Sequence, residues 1–259
     1  AQSELRKLLR SMNSYYTNRI EGQHTRPSDI ERALQQDFSA NADLARKQRL
    51  AVAHIRTEEL CEGELNRRLA EDGDQATRWL YSTEALTWLH RELFRDLPAD
   101  DLRLVDGSVM VPGEVRRRGV AIGRHEAPTW ESLPRFLERW QQVYAGTRRG
   151  EASVVALAAA HHRLAWMHPF LDGNGRVARL MSHAMLLEAL DTGGVWSIAR
   201  GLARDVVAYR AHLADCDLAR RNDLDGRGAL SEEALAAFTR FFLLACLDQV
   251  TFTEALVQP

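Results

Sequence analysis

The chain has 259 residues, of which 45% are hydrophobic and 27% charged, and it carries a formal net charge of −2. This composition predicts a soluble globular protein that can bury the core of one large domain or two small ones. The near-neutral charge offers no overall attraction for nucleic acids or anionic membranes, so neither is expected as a direct partner. Two local basic clusters, Arg116 to Arg118 and Arg148 to Arg149, depart from that pattern.

Cysteine usage and the length of apolar runs bear on the compartment. Cys61, Cys216 and Cys246 are far apart, odd in number and without a Cys-x-x-Cys pair, so we expect reduced, buried thiols. We expect no apolar stretch of the ~18 residues that span a bilayer, and no leader pattern opens the chain. These features together predict a cytoplasmic protein.

Apolar residues recur at helical spacing along most of the chain, which predicts a mainly α-helical protein. A first helix is expected over residues 2–20 and a second from Pro27. The remaining helices are expected at 41–68, 83–94, 130–144, 152–166, 174 to Gly193-Gly194, 203–214 and after Ser231 as N-cap.

Several of these helices carry expectations about individual side chains. The Ala-rich helix 152–166 is apolar on most sides and should be the buried centre, with His161 and His162 in a supporting role rather than binding zinc. His90 is expected at the surface of its helix. The last helix should direct five apolar residues inward: Leu235, Phe238, Phe241, Phe242 and Leu247.

The β signal lies between Arg103 and Gly123. Residues 109–111 and 120–122 read as two short strands, with Pro112-Gly113 as turn residues between them. Considered alone, such an apolar hairpin is most simply explained by packing.

The densest group of chemically useful residues is the stretch 168–179, His-Pro-Phe-Leu-Asp-Gly-Asn-Gly-Arg-Val-Ala-Arg. Pro169 interrupts one helical pattern, and a second pattern begins after Asn174. A Gly-rich turn that opens onto a helix N-terminus presents unpaired N–H groups and the positive end of the helix dipole. The stretch therefore predicts an anion site.

Charged side chains in the same stretch support that prediction. Arg176 and Arg179 are three residues apart on one helix face and can grip one polyphosphate. Asp172 could hold a magnesium ion on the same phosphates, and His168 has the ordinary pKa of about 6.5 that suits a general base. Each feature alone has a plainer interpretation: a turn, a structural histidine or a solvated arginine face.

Taken together, these residues resemble the signature of the Fic family, His-x-Phe-x-Asp/Glu-Gly-Asn-Gly-Arg-x-x-Arg, at every fixed position. The related Doc branch carries Lys where this chain has Gly175, so the resemblance implies nucleotidyl transfer rather than phosphoryl transfer. It implies His168 as the general base and Asp172 as the Mg²⁺ ligand. It also implies five residues that bind ATP: Gly173, Asn174, Gly175, Arg176 and Arg179.

A second stretch, Thr17-Asn18-Arg19-Ile20-Glu21-Gly22, is simply a helix end when considered alone. Beside the stretch 168–179 it resembles the Fic inhibitory motif, Ser/Thr-x-x-x-Glu-Gly/Asn. The resemblance implies that Thr17 and Glu21 are inhibitory residues and that Glu21 pairs with Arg179. A carboxylate is a natural competitor of phosphate for a guanidinium.

The same resemblance extends to two further regions. It implies that residues 109–123 form a β-hairpin flap on which a target protein docks by strand addition. It also implies that Tyr209, in the helix after the motif, contacts the nucleotide base, although no fixed spacing supports that residue.

We therefore predict an all-α, Fic-type helical domain with a short β-hairpin flap. Residues 1–100 form an N-terminal region whose inhibitory helix is about 2–22, residues 101–225 the catalytic core, and residues 226–259 a C-terminal helix. The expected activity is transfer of AMP from ATP, with Mg²⁺, to a Ser, Thr or Tyr hydroxyl of a protein, inhibited by Glu21.

Two alternatives stay open at this stage. One is removal of AMP by a water that Glu21 positions, and the other is a non-enzymatic nucleotide-sensing module. The sequence leaves open the target, the donor nucleotide, the direction of the reaction, homo-oligomerisation and a further C-terminal domain.

Overall fold

The computed structural model describes residues 2–146, 150–190 and 196–257. The predicted basic pair Arg148-Arg149 and the predicted helix end at Gly193-Gly194 lie outside these ranges. Within them the fold is all-α with one small hairpin, which confirms the predicted fold class.

The helices are defined as follows. They are α1 (Gln2–Ile20), α2 (Pro27–Leu34), α3 (Ala42–Glu71), α4 (Gly73–Leu80), α5 (Thr83–Phe94), α6 (Leu133–Tyr144), α7 (Glu151–Met167), α8 (Asn174–Leu190), α9 (Ile198–Arg204), α10 (Val206–Asp215) and α11 (Glu232–Val257). Short 3₁₀ turns occupy Ala99–Leu102 and Trp130–Ser132.

Two aspartates divide segments in which the apolar pattern predicts no separate helix. The side chain of Asp72 accepts hydrogen bonds from the Asp74 and Gln75 amides, so the residue that ends α3 also caps α4. Asp205 accepts from the Ala208 amide and separates α9 from α10, where a single helix over 203–214 is expected. Local capping therefore sets helix boundaries that apolar spacing does not resolve.

The core is built around the antiparallel pair α7 and α8, on either side of the loop that contains the motif. Helix α5 packs against α8 and α6 against α7, while α11 packs against α7 and α9 against α8. The apolar stripe of α5 is fully buried at Leu86, Leu89 and Leu93. Helix α1 lies across α3 and α9, and its C-terminal end reaches α8.

The hairpin is displaced from its predicted position. Strand β1 (Ala121–Ile122) pairs antiparallel with β2 (His125–Glu126), and Gly123 at φ +60° helps to form the two-residue connection. The strand predicted at 109–111 is instead a single bridge between Val109 and Arg103. The prediction of strands at 109–111 and 120–122 around Pro112-Gly113 was therefore wrong in its pairing, because residues 112–119 are held against α5 and the motif loop instead.

Helix α11 differs from the sequence prediction in its apolar length and in the exposure of one residue. Within the described residues, Glu232–Ala255 is long and apolar enough, by length and composition, to cross a membrane, although no run of that kind is expected from the sequence. Phe238 and Phe242 on this helix are fully buried against α7 and α10, as predicted, and Ser231 caps it. Leu247, predicted to point inward, is 60% exposed.

Replacing Phe238 by alanine is expected to lower the free energy of unfolding by about 3–5 kcal/mol, because the ring is fully buried and its loss leaves a cavity. Denaturant unfolding measures this change. The matched control is Leu244→Ala on the same helix, which is 54% exposed and should cost about 1 kcal/mol or less. Equal losses in the two variants would contradict the packing described here.

Candidate functional site

The site begins where α7 ends. His168 takes the C-cap position in the left-handed region, with φ 47° and ψ 60°, and its amide donates to the Leu164 carbonyl at 3.3 Å. A non-glycine residue in this region is unusual and turns the chain sharply. The turn sends residues 169–173 across the N-terminus of α8.

Asn174 fixes the shape of this loop. Its side-chain oxygen accepts from the Phe170 amide at 2.9 Å, and its side-chain nitrogen donates to the Phe170 carbonyl at 2.9 Å. Gly173 has φ +79°, and a Cβ there would overlap the Phe94 ring. The asparagine and the glycine of the motif therefore have structural reasons for their identity: one ties the loop to itself and the other lets it lie on α5.

Arg116 connects the flap region to the motif loop. It is 2% exposed, and its guanidinium donates to the carbonyls of His168 (2.7 Å), Pro128 (2.6 Å) and Arg118 (2.8 Å). Its own amide donates to the Pro169 carbonyl at 2.8 Å. Burial lowers the pKa of Arg116 from its ordinary value, but a guanidinium stays charged at any working pH. Sequence analysis placed Arg116 in a basic cluster and missed this role.

His90 makes a second connection of the same kind and corrects an expectation. It is fully buried rather than at the surface: Nδ1 accepts from the Gly113 amide at 2.7 Å, and Nε2 lies 3.1 Å from the Asp172 carbonyl. Its ring stacks on Phe170 with centroids 3.8 Å apart. Burial lowers the pKa of His90 to about 4, so it is neutral at pH 7. Its spacing from Leu86 and Phe94 on the apolar stripe is a sequence signal for this burial.

The two motif arginines are buried side by side on the first turns of α8. Arg176 is 2% exposed and lies near Asp172 Oδ1 (3.3 Å) and Gln23 Oε1 (3.4 Å). Its Nε has no hydrogen-bond partner within the described part of the chain. Arg179 is 3% exposed. Two buried guanidinium groups on one helix face form a strong site for an anion.

The C-terminal end of α1 supplies hydrogen-bond acceptors for the guanidinium of Arg179. Its Nε donates to Thr17 Oγ1 at 2.6 Å, and its Nη2 donates to the Thr17 carbonyl at 3.3 Å and to Glu21 Oε1. The sequence prediction that Glu21 pairs with Arg179 agrees with this geometry, and Thr17 joins the same guanidinium. One carboxylate, one hydroxyl and one carbonyl thus take the place that phosphate oxygens could take.

The helix end that carries Glu21 is itself held in place. Gly22 has φ +77°, and the Gln23 amide donates to the Asn18 carbonyl at 2.9 Å, which closes α1 in the usual glycine-terminated manner. Arg210 of α10 donates to the Ile20 carbonyl, a contact that sequence analysis did not predict.

Burial by itself would raise the pKa of Glu21, but the charges of Arg179, Arg176 and Arg210 hold it below its ordinary value. The side chain is 33% exposed in this pair. The carboxylate is therefore ionised at neutral pH and lies at the mouth of the anion site, not deep within it.

Gly175 allows this close approach. A Cβ at this position would overlap Glu21 Oε1 and would lie 3.1 Å from Arg179 Nη1. Any side chain here would push the carboxylate off the helix N-terminus. Gly175 thus keeps one space free for an acidic group, whether carboxylate or phosphate.

Tyr209 is buried in a hydrogen-bond network beside the motif helix α8. The residue is 3% exposed, and its hydroxyl is 2.8 Å from His161 Nε2, while His161 Nδ1 is 2.7 Å from Ser182 Oγ. His161 therefore supports the motif helix, as predicted from the sequence. The contact of Tyr209 with a nucleotide base stays a prediction.

Asp172 offers a carboxylate at the edge of the site. Its side chain is 40% exposed, and Oδ1 accepts from the Gly173 amide at 2.6 Å and from Arg176. A single accessible carboxylate beside an anion site fits Mg²⁺, which usually takes one or two protein carboxylates and completes its shell with water and phosphate oxygens.

His168 completes the arrangement as a neutral base. Burial lowers the pKa of His168 to about 4, helped by the charges of His125 and Arg116 and opposed by a hydrogen bond to the Ala165 backbone and by Glu21. At pH 7 its imidazole can accept a proton. A base, a paired guanidinium site and an accessible carboxylate therefore stand together around one helix N-terminus, an arrangement that suits group transfer from a polyphosphate.

A helical domain with this loop, this arginine pair and this histidine has the architecture of Fic proteins. Residues 80–186 match the family model described as the Fic/DOC family. The matched segment contains the whole motif loop, both flap connections and most of α8.

Curated relatives match part of the chain. Protein adenylyltransferase Fic of Drosophila yakuba is 31% identical over 137 residues, which cover 48% of this chain and 28% of that protein. Its counterpart in Drosophila ananassae is 36% identical over 78 residues, which cover 30% of this chain and 16% of that protein. The matched segments thus span less than a third of the relatives' length.

Solved structures show the fold over nearly the whole chain. A Fic family protein from Desulfovibrio desulfuricans superposes with a TM-score of 0.74 at 19% identity, covering 98% of this chain and 66% of that one. A Fic domain containing signaling protein from Bacteroides thetaiotaomicron has a TM-score of 0.62 at 18% identity, covering 94% of this chain and 87% of that one.

Replacing Arg116 by lysine is expected to lower the free energy of unfolding by about 2–4 kcal/mol. The guanidinium donates hydrogen bonds to three carbonyl groups, and a single ammonium group cannot reach all of them. Denaturant unfolding gives the size of the loss. Arg117→Lys, next in the chain with a side chain that is 79% exposed, is the matched control and should be nearly neutral. A loss no larger than that of the control would refute the anchoring role.

The imidazole of His168 is expected to stay neutral down to about pH 5, since its pKa lies near 4 in the folded protein. In the unfolded chain the same group titrates near 6.5. Its contribution to stability is thus fully present above pH 6.5 and declines as the pH falls toward 4. NMR titration of the assigned His168 ring tests this, and a midpoint near 6.5 in the folded protein would contradict it.

Proposed function

We propose that this chain transfers AMP from ATP to a hydroxyl group of a protein. The observation that carries the proposal is the pair of buried guanidinium groups, Arg176 and Arg179, on the N-terminal turns of α8 beside the neutral base His168. The curated relatives named Protein adenylyltransferase Fic support it. The matched segments cover only 28% and 16% of those two proteins, so the activity of this chain is a proposal.

The reaction needs one bond to form and one to break. The target hydroxyl oxygen attacks the α-phosphorus of ATP, the bond from that phosphorus to the bridging oxygen breaks, and diphosphate leaves. His168 takes the hydroxyl proton, a role typically worth about 10²–10⁴ in rate. The lowered pKa of His168 keeps the imidazole unprotonated at neutral pH before the reaction begins, but it also makes the imidazole a weaker base.

The helix N-terminus and the arginines bind the charge of the phosphates. In this proposal the backbone amides near Gly175 and the guanidinium groups of Arg176 and Arg179 hold the diphosphate that leaves. The side chain of Asn174 is bonded to Phe170 through both its oxygen and its nitrogen, which supports a role for its backbone amide rather than its side chain. Bound at Asp172, Mg²⁺ would neutralise charge on the phosphates.

We further propose that Glu21 inhibits the activity. Its carboxylate pairs with Arg179 and lies in the space that Gly175 leaves open, so it competes with a terminal phosphate for the same guanidinium. Thr17 strengthens the competition by taking two more hydrogen bonds of Arg179. A signal that withdraws the end of α1 would release both groups together.

The target protein is proposed to dock at residues 109–123. Val109, Val111 and Ile122 are exposed on this segment, and the edge of β1 offers backbone groups for strand addition. Arg116 ties the segment directly to the His168 carbonyl, so a chain bound there would be held at a fixed distance from the base. The cytoplasmic location remains a prediction.

Replacing Glu21 by glycine or glutamine is expected to increase ATP affinity and AMP transfer by roughly 10- to 100-fold, because Arg179 loses a competing carboxylate. Calorimetry measures the affinity, and incorporation of label from ATP radiolabelled at the α-phosphate measures transfer to the protein itself and to a lysate. Glu4→Gln, on the same helix with a 75% exposed side chain, is the matched control and should change neither quantity.

Combining Glu21→Gly with His168→Ala is expected to keep the ATP affinity and abolish labelling. Unchanged labelling in Glu21→Gly alone would refute the inhibitory role. Absence of α-phosphate label in every variant, with ATP bound, would refute AMP transfer, and label from the γ-phosphate would indicate phosphoryl transfer instead.

A further inference from the structure

A buried cluster of potential metal ligands lies behind the motif arginines, between α3 and α8. Glu58 and Glu62 are four residues apart on α3, and His183 is four residues after Arg179 on α8. Glu58 is 1% exposed and His183 7% exposed. Neither the proposed transfer reaction nor the inhibition by Glu21 uses these side chains.

The distances in this cluster suit coordination of one small ion. His183 Nε2 lies 3.2 Å from Glu62 Oε1 and 3.6 Å from Glu58 Oε1, and one ligand atom from each residue lies within 4.8 Å of the others. Around a tetrahedral zinc ion with bonds of about 2.0–2.1 Å, neighbouring ligand atoms are about 3.3 Å apart. Only small side-chain shifts would therefore bring the three groups onto one ion.

Two unsatisfied side chains beside the cluster point to a missing ligand. Among the residues that the structure describes, His54 Nδ1 and Asn13 Oδ1 have no hydrogen-bond partner, although the two residues are only 2% and 3% exposed. Both line a cavity of about 10 Å³, which Glu58, Arg179 and His183 also line. A space of that size holds about one water molecule or ion. Buried polar atoms without partners are energetically costly. A water molecule or ion bound in this cavity would give both atoms a partner.

The charges near the cluster are compatible with a cation. Arg10 binds Glu62 through Oε2, at 2.6 Å, which leaves Oε1 directed to His183. Asn13 Nδ2 donates to Glu58 Oε1 at 2.6 Å, and His54 Nδ1 is 3.7 Å from Glu58 Oε2. Arg179, which also lines the cavity, is already paired with Glu21. The two carboxylates would offset the charge of a divalent ion, with the positive charge of Arg10 remaining beside Glu62.

We propose that Glu58, Glu62 and His183 form a binding site for a divalent transition-metal ion of the zinc class. A fourth ligand, a water molecule in the adjoining cavity, would contact His54 and Asn13. The imidazole favours zinc or a similar ion over Mg²⁺ and Ca²⁺, which prefer all-oxygen sites. This site is separate from the carboxylate of Asp172.

The ion would link three helices around the inhibitory segment. Its ligands join α3 to the motif helix α8 one turn beyond Arg179, and the same two carboxylates receive Arg10 and Asn13 from α1. The metal is therefore expected to stabilise the packing of α1 against α3 and α8.

The proposal is tested on the whole chain after chelation and removal of the chelator, without nucleotide. Titration with Zn²⁺ by calorimetry, and with Co²⁺ by visible absorption, should show one ion per chain. Glu58→Gln and His183→Gln should each weaken binding on the order of 100-fold. Glu59→Gln, an exposed neighbour that also pairs with Arg10, is the matched control and should bind normally, as should Asp172→Asn.

Retention of full affinity in Glu58→Gln and His183→Gln, or absence of stoichiometric binding to the wild type, would overturn the proposal. Should those variants fail to fold, X-ray absorption of the Co²⁺-loaded wild type decides the question. One imidazole nitrogen with carboxylate oxygens in a four-coordinate shell supports the site, whereas an all-oxygen, six-coordinate shell or no bound cobalt refutes it.

Discussion

The guanidinium of Arg179 is the interaction on which the rest of this structure depends. It is buried on α8, so its charge must be matched by a partner, and a planar fork of donors matches a carboxylate or a phosphate about equally well. In this structure Glu21 and Thr17 supply the match. A site that must be neutralised by one of two acidic groups is by its nature bistable, which is the physical basis for proposing inhibition by α1.

If Glu21 and a phosphate compete for Arg179, the end of α1 must bind stably at the site yet be displaceable from it. Away from the site, α1 is held by polar contacts, namely Arg210 on the Ile20 carbonyl and Arg10 and Asn13 on the carboxylates of α3. Its buried Leu9 and Ile20 add apolar packing that any withdrawal of the helix end must also overcome. The zinc-class site proposed above lies among these contacts. A bound ion there would change how strongly α1 is held without touching the nucleotide.

Two buried side chains connect the flap region to the motif loop. His90 bridges the Gly113 amide and the Asp172 carbonyl. The guanidinium of Arg116 donates to three carbonyl groups, including that of His168. Hydrogen bonds therefore tie the segment proposed to hold the target directly to the backbone of the base proposed to activate its hydroxyl. Rigid positioning of this kind is what a transfer between two bound substrates demands, because little covalent chemistry is asked of the protein.

The sequence by itself determined the all-α fold class, most helix positions and the motif, because helical periodicity and the chemistry of a Gly-rich turn act over a few neighbouring residues. The sequence also indicated the pairing of Glu21 with Arg179. That inference needed the stretches 17–22 and 168–179 together, because the first is too short to be specific alone. Only the tertiary structure decided the hairpin register at 121–126, the burial of His90, the anchoring by Arg116 and the cluster at Glu58 and His183. Each of these depends on groups brought together from distant parts of the chain, and their contacts are set by how whole helices pack, which no local pattern encodes.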